Sequence, residues 1–371
     1  MRTAEKKMMD YCTYCPKMCR FACPVSEATK TETYTPWGKM QIARWLTEKK
    51  LPLSSETVLP LYQCTNCLHC QVYCEHDNDV PEALRMVRKL AIANYAAPDS
   101  VFQVGKNFSQ HNNPYEMDIY KKGRVPGLSE WANKKADVLF FPSCHTVHHF
   151  PKRLNTYREL FQKLNIQNIT LLKEPLGCCG EPLRALGFEQ EFRELAEVQY
   201  FSLKKFSHIV TDDGECCVSL RDHYGNFGFR IKSQVVHLLE FLEPYLKHSN
   251  YRTQGKVKGR VVFHDPPFLS RYLHLSELPR KLIAHVSGFF PTDLHMKGED
   301  TLSSGTEGSY DRIFPEISEK IARRTLREIE GKRIKKLVTA CAKTETQFRR
   351  LSKAVEVQDI YEFLNEQILL D

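Results

Sequence analysis

The pattern of apolar positions changes along the chain, from helical spacing at the start to alternating strands and helices later. Met40, Ala43 and Leu46 recur at helical spacing and predict a helix over 37–46. A second helix is predicted over 80–95, where Pro81 stands just inside the helix start and apolar residues follow on one face. The first hundred residues therefore predict a helical unit.

From residue 136 onward, short apolar runs alternate with amphipathic stretches. The apolar runs predict strands at 138–141, 169–172, 209–210, 260–263 and 336–339. The amphipathic stretches predict helices at 158–164, 189–205, 234–245, 315–330 and 358–370. Such alternation is typical of parallel sheets covered by helices.

Residues 99–135 separate these two regions and are rich in asparagine, glycine and proline. This composition predicts a connecting segment that packs on the surface rather than building a core. We expect Tyr115, Tyr120 and Trp131 to fix it in place. The expected class is α+β, with several domains.

The region after the connecting segment repeats itself at an interval of about 120 residues. Gly177–Gly180 pairs with Leu302–Gly305, and Val210–Asp213 pairs with Val338–Cys341. The raw interval also allows Cys341 to pair with Cys216. The predicted organisation is a helical unit at 1–98, a linker at 99–135, a first repeat at 136–250 and a second repeat at 251–371.

Eight of the 14 cysteines form two runs of similar spacing, Cys12-x2-Cys15-x3-Cys19-x3-Cys23-Pro24 and Cys64-x2-Cys67-x2-Cys70-x3-Cys74. Four thiolates hold one cubane [4Fe–4S] cluster, and in two-cluster proteins the fourth ligand comes from the other run. We assign to cluster 1 the residues Cys12, Cys15, Cys19 and Cys74. We assign to cluster 2 the residues Cys64, Cys67, Cys70 and Cys23. The runs predict one-electron transfer.

Two other uses of these cysteines fit the spacing less well. Structural zinc sites are typically built from separated CxxC pairs, so a zinc-stabilised, non-enzymatic scaffold is the weaker alternative. Disulfides are weaker still, because Met1–Tyr14 lacks the charged, apolar and small-residue pattern of a signal peptide. We therefore expect a reducing, cytoplasmic compartment.

A second group of cysteines follows the strands of the first repeat: Cys144, Cys178, Cys179, Cys216 and Cys217. Loops after parallel strands converge at one edge of a sheet, so these thiols form a candidate metal or redox site. The alternative is that Cys178 and Cys179 are buried small apolar residues. Gly177 and Gly180 favour the site, since glycine allows close backbone approach.

The second repeat lacks this group of thiols. Ser303 and Ser304 stand where the first repeat has its paired cysteines, and only Cys341 remains. We expect a vacant pseudo-site there. Candidates for lining it are His264, Asp265 and His295, although an isolated histidine after a strand is more typical of a hydrogen-bonded structural group.

Composition adds little to this picture. Hydrophobic residues make up 42% and charged residues 26% of the 371 residues, as in ordinary globular proteins. The net charge of +8 favours anionic partners weakly, and a solvated basic surface is the simpler interpretation. We find no pattern typical of nucleic-acid binding and no apolar stretch near the ~20 residues of a membrane span.

The order of motifs resembles the heterodisulfide reductase-type iron–sulfur proteins and the iron–sulfur subunits of glycolate oxidase and anaerobic glycerol-3-phosphate dehydrogenase. The resemblance extends over nearly the whole chain. It is carried by CTYCPKMCRFACP (Cys12–Pro24), CTNCLHCQVYC (Cys64–Cys74), LGCCGEP (Leu176–Pro182), FHDPP (Phe263–Pro267) and PEISEKIARR (Pro315–Arg324). It implies an α-helical ferredoxin domain with two [4Fe–4S] clusters, followed by a duplicated α/β CCG module.

The resemblance also implies a ligand set in the first CCG repeat. Cys144, Cys178, Cys179 and Cys216 fall on the family's ligand positions, which hold a non-cubane cluster in some members. One further family cysteine reads Asp213 here, and Cys217 is an extra thiol that could substitute for it. Pro267, Ser303 and Ser304 replace cysteines in the second repeat.

These features imply the iron–sulfur subunit of an oxidoreductase. We expect electrons from a flavoprotein dehydrogenase partner to reach the CCG site through the two clusters. The acceptor would be a thiol or disulfide, or a quinone delivered through a membrane-anchor subunit at the inner face of the membrane. The alternative is a self-contained disulfide-type reductase with a third, non-cubane cluster.

Overall fold

The computed structural model describes residues 3–119, 131, 135–172, 177–248, 251–254 and 260–369. A helical unit comes first, and a region with two parallel sheets covered by helices follows it. The predicted α+β class is confirmed. Among the described residues, no helix combines the length and the apolar character needed to cross a lipid bilayer.

In the helical unit, three helices pack against the predicted helix at residues 36–47. The helices of this unit are α1 Thr3–Tyr14, α2 Pro24–Thr29, α3 Pro36–Thr47, α4 Ser55–Tyr62, α5 His69–Val72, α6 Val80–Ala93 and α7 Asp99–His111. Helix α3 begins where the Thr35 side chain accepts a hydrogen bond from the Gly38 amide and Pro36 fixes the first turn. Its buried residues Met40, Ala43 and Leu46 pack toward α1, α4 and α6. The helices predicted over 37–46 and 80–95 are thus present as α3 and α6.

The connecting segment differs from the prediction at its start, because α7 occupies its first 13 residues. Val101, Val104 and Phe108 are buried on one face of α7, and this spacing outweighs the polar composition. Tyr115 and Trp131 are buried, as expected of residues that fix the segment. Tyr120 and most of the remaining segment lie outside the described residues.

The first repeat contains a four-stranded parallel sheet in the order β2-β1-β3-β4. Its strands are β1 Val138–Phe141, β2 Ile169–Thr170, β3 His208–Thr211 and β4 Gln234–His237. Its helices are Cys144–His149, Arg153–Lys163, Glu181–Leu186, Glu189–Leu203, Gly214–Val218, Tyr224–Asn226 and Leu238–His248. The buried strand β1 lies at the centre of this arrangement.

The second repeat has the same strand order. Strands β6 Val261–His264, β7 Lys336–Thr339 and β8 Glu356–Asp359 form a parallel sheet, and Thr292 bridges to Val262 on the side where β2 lies in the first repeat. The helices are Glu277–Ser287, Tyr310–Ile313, Pro315–Gly331, Ala342–Leu351 and Ile360–Gln367. A separate antiparallel pair joins β5 Arg252–Thr253 to β9 Ile368–Leu369.

The last parallel strand of each repeat was missed by the sequence prediction. The helices predicted over 234–245 and 358–370 begin instead at Leu238 and Ile360, after β4 and β8. In both repeats the strand passes directly into the helix with no intervening glycine or proline, so the usual signal for a boundary is missing. The second of these helices also ends early, at Gln367, where β9 begins.

A buried arginine joins the two repeats. Arg153 lies 2.8 Å from Glu345, 2.9 Å from Glu362 and 3.6 Å from Asp359. Burial raises the pKa of Glu345 to about 8 and that of Asp359 to about 6, and the Arg153 cation opposes both shifts. The arginine therefore favours the ionised form of two buried carboxylates at the contact between the repeats.

We predict that Arg153→Met lowers the free energy of unfolding by about 3–5 kcal/mol, because it leaves buried carboxylates without a counter-charge. Urea denaturation followed by circular dichroism measures this loss. The control is Arg323→Met, which removes an exposed pair with Glu319 and should change stability by less than about 1 kcal/mol. Equal effects of the two substitutions would contradict the assigned role of Arg153.

Candidate metal centres

The structure brings the four cysteines assigned to cluster 1 together at the edge of the helical unit. Burial raises the pKa of Cys12 to about 12 and that of Cys19 to about 11, and the other thiols of the group add to both shifts. The side-chain amide of Asn78 donates to Cys12 Sγ at 3.3 Å, and its backbone N–H donates to Cys74 Sγ at 3.5 Å. One asparagine thus contacts a cysteine from each run.

The cysteines assigned to cluster 2 also face one another, with a buried lysine among them. Burial raises the pKa of Cys70 well above its usual value, and Cys64 and Cys67 add to this. Burial also favours the neutral form of Cys23. The Lys39 ammonium, 3.4 Å from Cys23 Sγ, and bonds from Ser26 outweigh it and lower the pKa. Lys39 is only 1% exposed.

Cys144, Cys178, Cys179 and Cys216 form a connected chain of buried thiols. Cys178 is hydrogen-bonded to both Cys144 and Cys179, and Cys179 is hydrogen-bonded to Cys216. For Cys216 this bond raises the pKa most and burial adds to it, so the thiol form is favoured. An iron ion that replaces these protons would relieve the cost of burying four thiolates side by side.

The ends of two neighbouring strands position this group. Cys144 follows β1, and Cys216 follows β3, which pairs with β1. Asp212 joins the two loops, because its carboxylate accepts hydrogen bonds from the Ser143 amide and the Thr146 hydroxyl, both at 2.6 Å. The predicted convergence of loops at the carboxyl edge of the sheet therefore occurs.

The Cys178–Cys179 loop is fixed through its carbonyl groups. Gln199 donates to Cys178 O at 2.7 Å, and the hydroxyls of Tyr224 and Ser219 donate to Cys179 O at 2.9 and 3.2 Å. Gly177 has φ +81°, and a Cβ there would lie 2.4 Å from Asn112 O. The glycine therefore permits close approach to the C-terminal end of α7.

Asp213 and Cys217 lie beside this group in different roles. Asp213 caps the helix Gly214–Val218, where its Oδ1 accepts from the amides of Glu215 and Cys216 at 3.0 and 3.2 Å. Its Oδ2 accepts a hydrogen bond from Cys341 Sγ at 3.7 Å. Burial raises the pKa of Cys217 to about 12, and its charged neighbours, led by Arg221, do not include the four thiols.

A single metal ion is a poor match for these groups. Within the described ranges, no three His, Cys, Asp or Glu side chains converge closely enough to hold one ion. A cluster of four irons sets its ligands farther apart than one ion does, so this finding concerns mononuclear sites. The donor sets of four cysteines each fit the iron–sulfur chemistry that their spacing predicts.

Comparison with known families agrees with this division of the cysteines. Residues 8–78 match the family described as a 4Fe-4S dicluster domain, and residues 138–221 match the family described as a cysteine-rich domain. The chain resembles the heterodisulfide reductase-type iron–sulfur proteins in carrying both domains. It is thus a component of an iron–sulfur oxidoreductase.

Several known proteins are similar to this chain over most of its length. A component of the dihydromethanophenazine:CoB–CoM heterodisulfide reductase of Methanosarcina mazei is 23% identical over 98% of this chain and 95% of its own. The equivalent component from Methanosarcina acetivorans is 25% identical over 76% of this chain and 70% of its own. Lactate utilization protein A 2 of Bacillus cereus is 25% identical over 61% of this chain and 97% of its own.

The second repeat keeps the layout of the site with hydroxyls instead of thiols. Ser304 Oγ lies 2.8 Å from Thr344 Oγ1, so this pair takes the positions of Cys179 and Cys216. Cys341 occupies the N-cap position of the helix after β7, as Asp213 does for the helix after β3, although only Asp213 bonds to its helix through the side chain, and this decides the open pairing of Cys341 in favour of Asp213. Ser303 donates to Glu307 at 2.5 Å.

The three residues considered for lining this pseudo-site have structural partners. His264 Nε2 lies 3.0 Å from Leu302 O, and burial lowers its pKa to about 4. Asp265 forms a bidentate pair with Arg280 at 2.6 and 2.7 Å. His295 is exposed, and its backbone amide donates to Glu328 at 2.6 Å.

Sequence reasoning missed several residues that support these centres, notably Lys39, Arg88, Arg271 and Asn78. A signal existed for two of them. Lys39 shares the face of Ala43 and Leu46 in α3, and Arg88 shares the face of Leu84 and Ala91 in α6. A charged residue on an apolar helix face marks a buried cation that needs a partner. Arg271 is more than 200 residues from Cys67, so spacing could not reveal it.

We predict that Gly177→Ala destabilises the protein more than Gly228→Ala. Both glycines have positive φ, which costs a non-glycine residue about 1–2 kcal/mol. Only Gly177 also meets backbone, whereas a Cβ at Gly228 has nothing within 4 Å. The clash should add roughly 1–3 kcal/mol, measured by urea denaturation of the two variants. Equal losses would mean that the contact with Asn112 yields easily.

Proposed function

We propose that this chain carries electrons from a flavoprotein dehydrogenase partner, through two [4Fe–4S] clusters, to the site formed by Cys144, Cys178, Cys179 and Cys216. The single observation that carries the proposal is the connected chain of four buried thiols at the carboxyl edge of the first sheet. Such a site next to a dicluster domain gives the electrons a destination within the same chain.

A short series of contacts between cluster 2 and this site supports the proposal. Asn66 lies between Cys64 and Cys67 in the sequence. Its side-chain amide packs closely against Gly308, because a Cβ added to Gly308 would lie 2.4 Å from the Asn66 side-chain nitrogen. The Gly308 amide donates to Glu215 Oε1 at 3.2 Å, and Glu215 precedes Cys216. Three residues therefore connect the two cysteine groups.

The acceptor we propose is a thiol or disulfide, with a quinone reached through a membrane-anchor subunit as the second candidate. The Methanosarcina relatives carry both dihydromethanophenazine and a heterodisulfide in their names. The hydroxyl-lined pseudo-site supports one terminal site in this chain rather than two. We further propose a cytoplasmic location, at the inner face of the membrane if an anchor subunit is present, and no nucleic-acid partner.

We predict that Cys178→Ser/Cys179→Ser abolishes electron delivery to a disulfide acceptor and leaves both cubane clusters in place. Iron and sulfide analysis, zinc analysis and EPR after anaerobic purification provide the measurement. Two cubanes give about 8 Fe, and a non-cubane cluster of the family type would add about 4, which the double variant should lose.

The matched control is Cys217→Ser, since Cys217 is equally buried but the charged groups that act on it most, led by Arg221, do not include the four thiols. It should keep the wild-type iron content, spectrum and activity. The proposal fails if the double variant retains all of its iron, its spectrum and its electron delivery. A colourless wild-type protein with zinc and no acid-labile sulfide would support the scaffold alternative.

A further inference from the structure

Three buried cations surround the cysteines of cluster 2. Lys39 Nζ lies 3.4 Å from Cys23 Sγ, and Arg88, which is 1% exposed, interacts with Cys64. Arg271 donates from Nε to the carbonyl of Cys67. Among the described residues, the strongest interactions of Lys39 and Arg88 are with thiols, tyrosines and carbonyl groups rather than carboxylates.

Within the part of the chain that the structure describes, the surroundings of cluster 1 differ. The groups with the largest effects on Cys12 and Cys19 are other cysteines, Asn78 and backbone, with no cation among them. The cations nearest in sequence are Lys17, which is partly exposed, and Arg20, which is exposed, and both pair with Glu32, at 3.4 and 2.6 Å. Solvent and a carboxylate therefore reduce their effect on cluster 1.

Two carboxyl groups near the cluster 2 loop, Glu307 and Asp300, do not cancel the three cations. Glu307 is buried, which raises its pKa and favours the neutral carboxyl form. The Asp300 side chain is half exposed, so solvent screens its charge.

Fixed positive charges stabilise the reduced form of an iron–sulfur cluster, because reduction adds one negative charge to it. Burial acts in the opposite direction, since it disfavours the more highly charged form. Two of the cations at cluster 2 interact with ligand thiols and the third bonds to a ligand residue's carbonyl. At Cys23, 3.4 Å from the Lys39 ammonium, the cation outweighs burial, whereas burial is the larger effect at Cys67 and Cys70.

The contacts that each cluster's cysteines make with the rest of the chain favour the same direction of electron transfer, from cluster 1 to cluster 2. Cluster 2 lies against the second repeat, where the Tyr272 hydroxyl donates to Asn66 O at 2.7 Å and the Tyr310 hydroxyl donates to Gln63 at 2.5 Å. Cluster 1 lies beside the exposed aromatic residues Tyr14 and Phe21. Through Asn66, Gly308 and Glu215, cluster 2 is also the one connected to the four-cysteine site.

We infer that Lys39, Arg88 and Arg271 give cluster 2 the higher reduction potential and so direct electrons from cluster 1 toward the CCG site. One electron leaves cluster 1 and reduces cluster 2, with no bond made and no proton transferred. This inference rests on the proposed function, because it assumes that both cysteine groups hold clusters.

The test is an EPR-monitored redox titration of the full chain, purified anaerobically, in wild-type and variant forms. Lys39→Met should lower the higher of the two potentials and leave the lower one unchanged. The expected change is at least tenfold in the equilibrium between reduced and oxidised cluster, which is about 59 mV for one electron. Lys39→Arg, which keeps the charge, should restore most of this loss.

A second variant identifies the other cluster independently. Asn78→Asp places a negative charge beside Cys12 and should lower only the lower potential. Lys17→Met is the matched control and should change neither potential, because Lys17 is partly exposed and already paired with Glu32. If Lys39→Met fails to assemble, the Asn78→Asp titration alone decides which cluster has the higher potential.

The inference is overturned if Lys39→Met shifts the lower of the two potentials, or shifts neither of them. It is also overturned if Asn78→Asp shifts the higher of the two potentials. Failure of the proposed function gives a different result. Wild-type protein with clearly fewer than about 8 Fe would show that the clusters themselves are missing. Full iron content with equal potentials would reject the inference and leave the proposed function standing.

Discussion

The loop Gln63–Leu68, which carries two ligands of cluster 2, is fixed by buried side chains from outside the loop, and the arrangement of all three cysteine groups depends on this. Asn66 and Leu68 both have positive φ, so the loop is held in a conformation that it would not adopt alone. Arg271 and Tyr272 bond to its carbonyl groups from the second repeat, and Arg88 bonds to Asn66 from α6. Because residues of α6 and of the second repeat hold this loop, the position of the cluster 2 cysteines depends on parts of the chain far from them in sequence.

This dependence explains the structural role of the second repeat, in which the paired cysteines of the first repeat are replaced by serines. Ser304 and Thr344 replace two thiols with two hydroxyls that bond to each other, so the interior stays satisfied without a metal. The repeat then contributes Arg271 to one cysteine group and Gly308 to the route toward another. The two repeats are similar frames, and the second forms a structural connection between the cysteine groups. The asymmetry of the cysteines along the sequence therefore reflects a division of roles between two similar folds.

Local patterns predicted much of this fold and failed where the deciding contacts were distant. Helix α6 and strand β7 followed from apolar spacing, and the grouping of cysteines followed from their short intervals. Strand β4 was missed because it runs into the next helix without a breaking residue, and α7 was missed because composition was weighed above periodicity. The contact of Asp213 with Cys341 joins residues 128 apart and lies beyond any reasoning from spacing. The sequence thus contained the site's thiols but did not reveal the partners that position and charge them.

The buried cations connect folding with cofactor binding. A lysine or arginine inside a protein without a carboxylate is strongly unfavourable, and removing its counter-charge typically costs about 3–5 kcal/mol. For Lys39 the strongest partner is the Cys23 thiol group, whose sulfur lies 3.4 Å from Nζ. Metal ligands must lose their protons to bind, so an assembled cluster provides the permanent negative charge that Lys39 and Arg88 lack in the empty protein. The residues that set the electron's direction are therefore the same residues that make the helical unit depend on its cluster for stability. A buried positive charge destabilises an apolar core, but beside four thiolates it stabilises the folded protein with its cluster bound.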